Sequence, residues 1–207
     1  IEKVETYFSR VERRPWPPIA LPQEPRQLGM REVVETMPAG QAYLLMSFRT
    51  IPLSHPDLYP LDLMSYILSK GQSARLVRSL REERGLVSSI SAWSYTPGYD
   101  AGEFTIYATL PPGNIPAARQ AILEEVYRSK TDLVDAAELQ RAKRQKISSH
   151  VFGLQTVEAQ AGSVGTDILS AHDPTFSRSY VEEIQTVTPE ALREAARRYF
   201  DNASLCV

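Results

Sequence analysis

The stretch LVRSLREERGLVSSISAWSY, residues 76–95, changes its hydrophobic period at Gly85. Before the glycine, Leu76, Val77 and Leu80 fall on one side of a helix, and Arg78, Arg81, Glu82 and Glu83 spread over the rest. This pattern predicts a helix over 74–83 with Gly85 as the residue just past its end. Arg78 and Glu82 then form an i,i+4 ion pair, and Arg84 sits where the helix dipole favours positive charge. After the glycine the period is two. Ser89, Ser91, Trp93 and Tyr95 share one face of a strand over 87–95, with Ile90 and Ala92 on the other.

The composition TPGYDAG that follows is that of a turn, and Phe104, Ile106, Ala108 and Leu110 then alternate with Glu103, Thr105, Tyr107 and Thr109. A second strand over 103–110 therefore packs one face on a core and presents the other. Upstream, residues 31–37 and 41–49 read as two more strands, separated by a turn at Pro38-Ala39-Gly40. Residues 57–68 read as a helix, as do 116–130, 135–152, 156–170, 180–185 and 189–200, with a short closing strand over 203–207. Strands in two clusters, with helices between and after them, give an α+β fold: a mostly antiparallel sheet with helices packed on one face.

The chain has 207 residues, 43% hydrophobic and 23% charged, with a formal net charge of −2. Such a balance provides no field to attract nucleic acid or anionic lipid. No apolar run reaches the roughly 20 residues that span a bilayer. The single cysteine, Cys206, forms no internal disulfide and no thiolate-rich metal site. His55, His150 and His172 are too far apart for a helix-borne zinc site, which needs ligands three to five residues apart. Only a site assembled from distant segments is left. No phosphate loop, dinucleotide fingerprint or serine nucleophile elbow occurs. Residues 1–11 carry Val4, Phe8 and Val11 at helical spacing, and Pro15, Pro17, Pro18, Pro22 and Pro25 follow as an extended linker.

Several of these segments resemble one family. Lys70-Gly71-Gln72-Ser73-Ala74-Arg75-Leu76, Leu80-Arg81-Glu82-Glu83 and Gly85-Leu86-Val87-Ser88-Ser89 resemble the signature in the second domain of insulinase-type (pitrilysin-like) zinc metallopeptidases. DAAELQRAK, residues 135–143, is similar to the family's E-L-x-x-A-K helix, and Thr188-Pro189-Glu190 to its closing V-T-P-E helix. The matches run in order over about residues 30–207. The resemblance implies paired α+β domains closing around a peptide, with an H-x-x-E-H zinc motif in only one of them. This chain lacks that motif, so it resembles the non-catalytic companion.

The resemblance further implies that residues 1–25 are the end of a preceding domain plus linker, and that 26–207 are the inactive peptidase domain. Zinc is expected in the catalytic domain of the full protein or in its partner. A sister domain or partner subunit and a peptide are the expected partners, with no nucleic acid and no membrane span. A homodimer of the isolated fragment and a bacterial periplasmic or envelope location are further expectations. The companion domain of such enzymes often offers substrate an arginine and a tyrosine spaced R-x6-Y. Arg81 stands at the arginine position but Ser88 at the tyrosine position, and a serine cannot reach where a phenol does. Arg81 is then either a substrate contact or a surface ion-pair residue. Trp93, Tyr95 and Tyr107, on the outward face of the two paired strands, are candidate peptide contacts or a packing surface for the sister domain. The rival reading is a non-enzymatic scaffold subunit of the same fold.

Overall fold

The computed structural model describes residues 2–12, 14, 15, 22, 25 and 27–207. The proposed boundary at Arg26 and most of the Pro15–Pro25 linker lie outside the described residues.

Helix α1 (Glu2–Phe8) comes first, followed by β1 (Ala42–Arg49) and α2 (Leu58–Ser69). A π-helical segment over Val77–Glu83 leads to β2 (Ser89–Tyr95) and β3 (Glu103–Leu110). Then come α3 (Ile115–Thr131), α4 (Ala136–Gly153), α5 (Val157–Thr166), a second π segment over Asp167–Ala171, α6 (Phe176–Thr186), α7 (Pro189–Tyr199) and β4 (Leu205–Cys206). The strands form one antiparallel sheet in the order β2-β3-β1-β4.

Period-two alternation decides which side of the sheet is core. Leu44, Met46 and Phe48 of β1, Ile90 of β2, and Phe104, Ile106, Ala108 and Leu110 of β3 are buried together. Helix α2 packs against β2, α3 against β1 and α7, and α4 and α6 stack on α2. Phe200, just past α7, closes the centre, with ring centroids 5.2 Å from Phe48 and 4.9 Å from Phe104. The result is the expected α+β layer, with one sheet face under helices and the other left outward.

The helix starts follow capping chemistry. Asp135 accepts from Ala137 and Glu138 N–H, Thr156 from Ala159 N–H and Thr188 from Ala191 N–H. Gly85 has φ +59° and turns the chain out of the helix, as its position predicts.

Two expectations are corrected. Residues 31–37 do not form a strand. Only Arg31 bridges Cys206, and Val33 N–H reaches Val207 C=O at 2.9 Å, after which Val34 to Met37 are exposed. β4 is two residues long, so it offers a neighbour little backbone to pair with, whatever the β-propensity of Val33 and Val34. The second correction concerns residues 77–83, which are wound as a π-helix and not an α-helix: Arg84 N–H donates to Ser79 C=O, five residues back, at 3.2 Å.

Candidate functional site

The outward face of the sheet is built in rows by strand register. Ser89 lies across from Thr109 and Thr109 from Tyr43; Ser91 across from Tyr107 and Tyr107 from Leu45. Trp93, Thr105, Ser47 and Cys206 make the next row, and Tyr95, Glu103 and Arg49 the last. Tyr43, Leu45, Trp93 and Tyr95 are 56%, 47%, 40% and 52% exposed, too much for side chains covered by their own domain. The face is therefore aromatic, largely uncovered and supported by strands from behind.

Polar side chains lock the floor between the rings. Ser47 Oγ donates to Glu103 Oε2 at 2.7 Å and lies 3.0 Å from Thr105 Oγ1, and Thr105 is 1% exposed. Ser89 Oγ and Thr109 Oγ1 are 2.6 Å apart. Tyr107 stacks on Tyr43 with centroids 6.2 Å apart and planes at 15°. The Tyr95 phenol is held above its ordinary pKa, chiefly by its hydrogen bond with Tyr99. A cleft of about 440 Å³ opens at the Tyr95 end, walled by Gln27, Arg31, Ser47, Arg49, Glu103 and Cys206.

The fold brings Trp93 and Tyr107 onto one patch and puts Tyr95 at its end. Ser88 is set apart from Tyr95. Ser88 precedes β2 and Tyr95 ends it, a separation of roughly 23 Å at ~3.3 Å per residue. Ser88 and Ser89 are both exposed, and both engage Thr109: Ser88 N–H donates to its carbonyl at 2.8 Å while Ser89 bonds its hydroxyl. The alternation slips here as at a bulge, so Ser88 points away from the core despite the parity of its position. Arg81 is exposed and its Nε donates to Glu82 Oε1 at 2.8 Å. Tyr43 and Leu45 are the members of the face that sequence reasoning missed. The signal was present in β1, where inward Leu44, Met46 and Phe48 force Tyr43 and Leu45 outward.

Among the described residues no group of three or more His, Cys, Asp or Glu could hold a metal ion. His55 Nδ1 accepts from Asp57 N–H at 3.0 Å, and His150 Nε2 lies 2.9 Å from Ser177 C=O while its ring stacks on Tyr180. These histidines fasten chain segments. No helix among the described residues is long and apolar enough to cross a membrane.

The face and its one-sided helical layer define the class: an α+β domain with a four-stranded antiparallel sheet carrying helices on one side. The family model for the peptidase M16 inactive domain matches residues 1–146, so the chain belongs to that family. An uncharacterized zinc protease of Bacillus subtilis is 26% identical over 161 residues, 77% of this chain and 39% of that protein. The chain thus spans about two fifths of the length of that relative. Among solved structures, a protease from Helicobacter pylori superposes with a TM-score of 0.83 at 20% identity, over 99% of this chain and 50% of that one. The inactive peptidase domain of a putative zinc protease from Bordetella parapertussis gives 0.70 at 19% identity, over 84% of this chain and 93% of that one. At these identities the structures speak for the fold.

Proposed function

We propose that this domain is the non-catalytic half of a zinc-dependent peptidase and that its outward sheet face helps enclose and orient an extended peptide for a separate H-x-x-E-H domain. The observation that carries this is the uncovered face of Tyr43, Leu45, Trp93, Tyr95 and Tyr107, backed by α2, α3 and α7 with α4 and α6 behind them on the other side. Aromatic rings give large apolar contact with a polar edge and little conformational entropy to lose, which suits a peptide of varied sequence. The family's zinc belongs to the companion domain in this reading.

Helix α1 supports the same arrangement. It has no buried residue, and Val4, Tyr7, Phe8 and Val11 are all exposed. We assign α1 to the end of the preceding domain, residues 1–25, with residues 26–207 as the inactive domain. The same exposed apolar surfaces are where an isolated fragment would self-associate.

In the longer polypeptide, Trp93→Ala and Tyr107→Ala are expected to raise KM for a fluorogenic decapeptide at least fivefold, with zinc content unchanged. Unchanged kinetics in both variants would sink the reading. Ser88 favours one other reading, a scaffold subunit of the same fold, because a serine removes the phenol that the family resemblance implies there. An H-x-x-E-H motif in neither the same polypeptide nor a partner would decide for the scaffold.

A further inference from the structure

β2 ends the sheet, so among the described residues no strand faces its outer main-chain groups. An exposed edge of this kind is a template for pairing with an extended peptide or another chain. At its middle, however, Ser69 stands in the way. Its Oγ accepts from Ala92 N–H at 2.8 Å and lies 3.2 Å from Ala92 C=O, to which it donates. The same hydroxyl proton is shared with Ser65 C=O at 3.1 Å, inside α2. One serine at the last residue of α2 thus satisfies both outward main-chain groups of Ala92.

By the two-residue period, only Ile90, Ala92 and Ser94 direct main-chain groups to this edge. Taking the central one leaves two single-residue anchors about 13 Å apart, at ~3.3 Å per residue. The opposite edge is guarded as well. Arg31 N–H donates to Leu205 C=O at 3.0 Å, and Val207 N–H to Arg31 C=O at 2.9 Å, so residues 31–33 lie against β4.

The geometry points to Ser69 as the residue that shuts the β2 edge against strand addition, so that an extended peptide meets this domain through its outward face only. The functional half of that statement rests on the peptide-binding reading above; the closure of the edge does not. Titrating the ¹⁵N-labelled chain with a capped decapeptide of alternating Val and Thr, flanked by two lysines at each end, reads the edge directly. In the wild type the amides of Ile90, Ala92 and Ser94 are expected not to shift at millimolar peptide, and Ala92 to exchange slowly. Ser69→Ala is expected to speed Ala92 exchange at least tenfold and to let the peptide shift all three amides. Ser69→Thr, which keeps the hydroxyl, is expected to behave as the wild type.

Peptide-induced shifts at those amides in the wild type would overturn the proposal, whatever the variants do. So would a folded Ser69→Ala with Ala92 exchange unchanged, or with faster exchange and no peptide shifts, since α2 itself would then be the barrier. None of these readouts depends on hydrolysis, so their failure is distinct from failure of the peptidase reading.

Discussion

Arg78 pairs with Glu83, five residues on, at 3.3 Å, while Glu82 takes the guanidinium of Arg81 at 2.7 Å. A π-helix holds about 4.4 residues per turn, so the neighbour of residue i moves from i+4 to i+5. The pair Arg78–Glu82, written for α-geometry, is thereby replaced. All four side chains are largely solvated, and exposed pairs of this kind contribute about 0–1 kcal/mol. Arg81→Ala should therefore leave the unfolding free energy within about 0.5 kcal/mol of wild type in urea titrations. A loss of several times that would give Arg81 a structural role, whereas a stable variant with reduced peptide turnover in the longer polypeptide would make it a substrate contact.

Two glycines are expected to respond in opposite directions to alanine. A Cβ on Gly102 would lie 2.0 Å from Tyr95 C=O and 2.7 Å from Ile51 C=O, both main-chain atoms that cannot swing away. Gly102→Ala must pry β2 from the loop at Ile51 and should cost at least about 2 kcal/mol. Gly162, in the middle of α5, has nothing within 4 Å of such an atom. Gly162→Ala should stabilise by about 0.5–1 kcal/mol through helix propensity. Thermal melts of both variants check the contrast.

The signature helix is tied to α4 by one bidentate pair. Arg75 Nε donates to Glu138 Oε1 at 2.9 Å and Nη2 to Oε2 at 2.6 Å, with the side chains only 18% and 15% exposed. The hydrogen bond to Glu138 is also the main cause raising the Arg75 pKa, ahead of the opposing effect of burial. Removing one partner leaves a mostly buried charge unpaired, so Glu138→Ala should cost about 3 kcal/mol. The double variant Arg75→Met, Glu138→Leu should recover at least half of that, a coupling that a double-mutant cycle measures.

Stability is expected to fall in alkali because of Tyr180. Its hydroxyl donates to Asp62, which Lys146 also holds at 3.0 Å, and its ring is buried against His150. Burial first, then the Asp62 charge, push the phenol far above its ordinary value of 10.0. The folded state therefore keeps this proton when the unfolded chain loses it. The stabilisation is complete below about pH 10 and declines above it, by about 1.4 kcal/mol per pH unit for one such group. Unfolding midpoints from pH 8 to 11 should show the decline, and Tyr180→Phe should flatten it. Tyr199, raised by burial and by its hydrogen bond to Asp57, should leave a residual slope.

Periodicity carried most of this architecture. Ile90 and Ala92 against Trp93 and Tyr95, and Phe104 and Ile106 against Tyr107, were enough to place one sheet face on the core. What escaped depended on partners distant in sequence. Val33 and Val34 have strand propensity, but the neighbouring β4 is too short to pair with them. Ser88 has the parity of an inward residue and is turned out by a local slip opposite Thr109. The alternation of β1 turns Tyr43 outward, but its place beside Tyr107 comes from β1 lying next to β3, a pairing no local pattern reveals. The π-winding of Val77–Glu83 keeps Val77 and Leu80 buried and shows in the carbonyl each N–H reaches and in the move of the Arg78 pair to Glu83.

The most direct measurement is of this chain alone, supplied with zinc and a set of fluorogenic peptides, with metal content read by elemental analysis. The account predicts no chelator-sensitive hydrolysis above the enzyme-free control and no stoichiometric zinc. Chelator-sensitive turnover that co-purifies with the chain and is lost on its unfolding would contradict it.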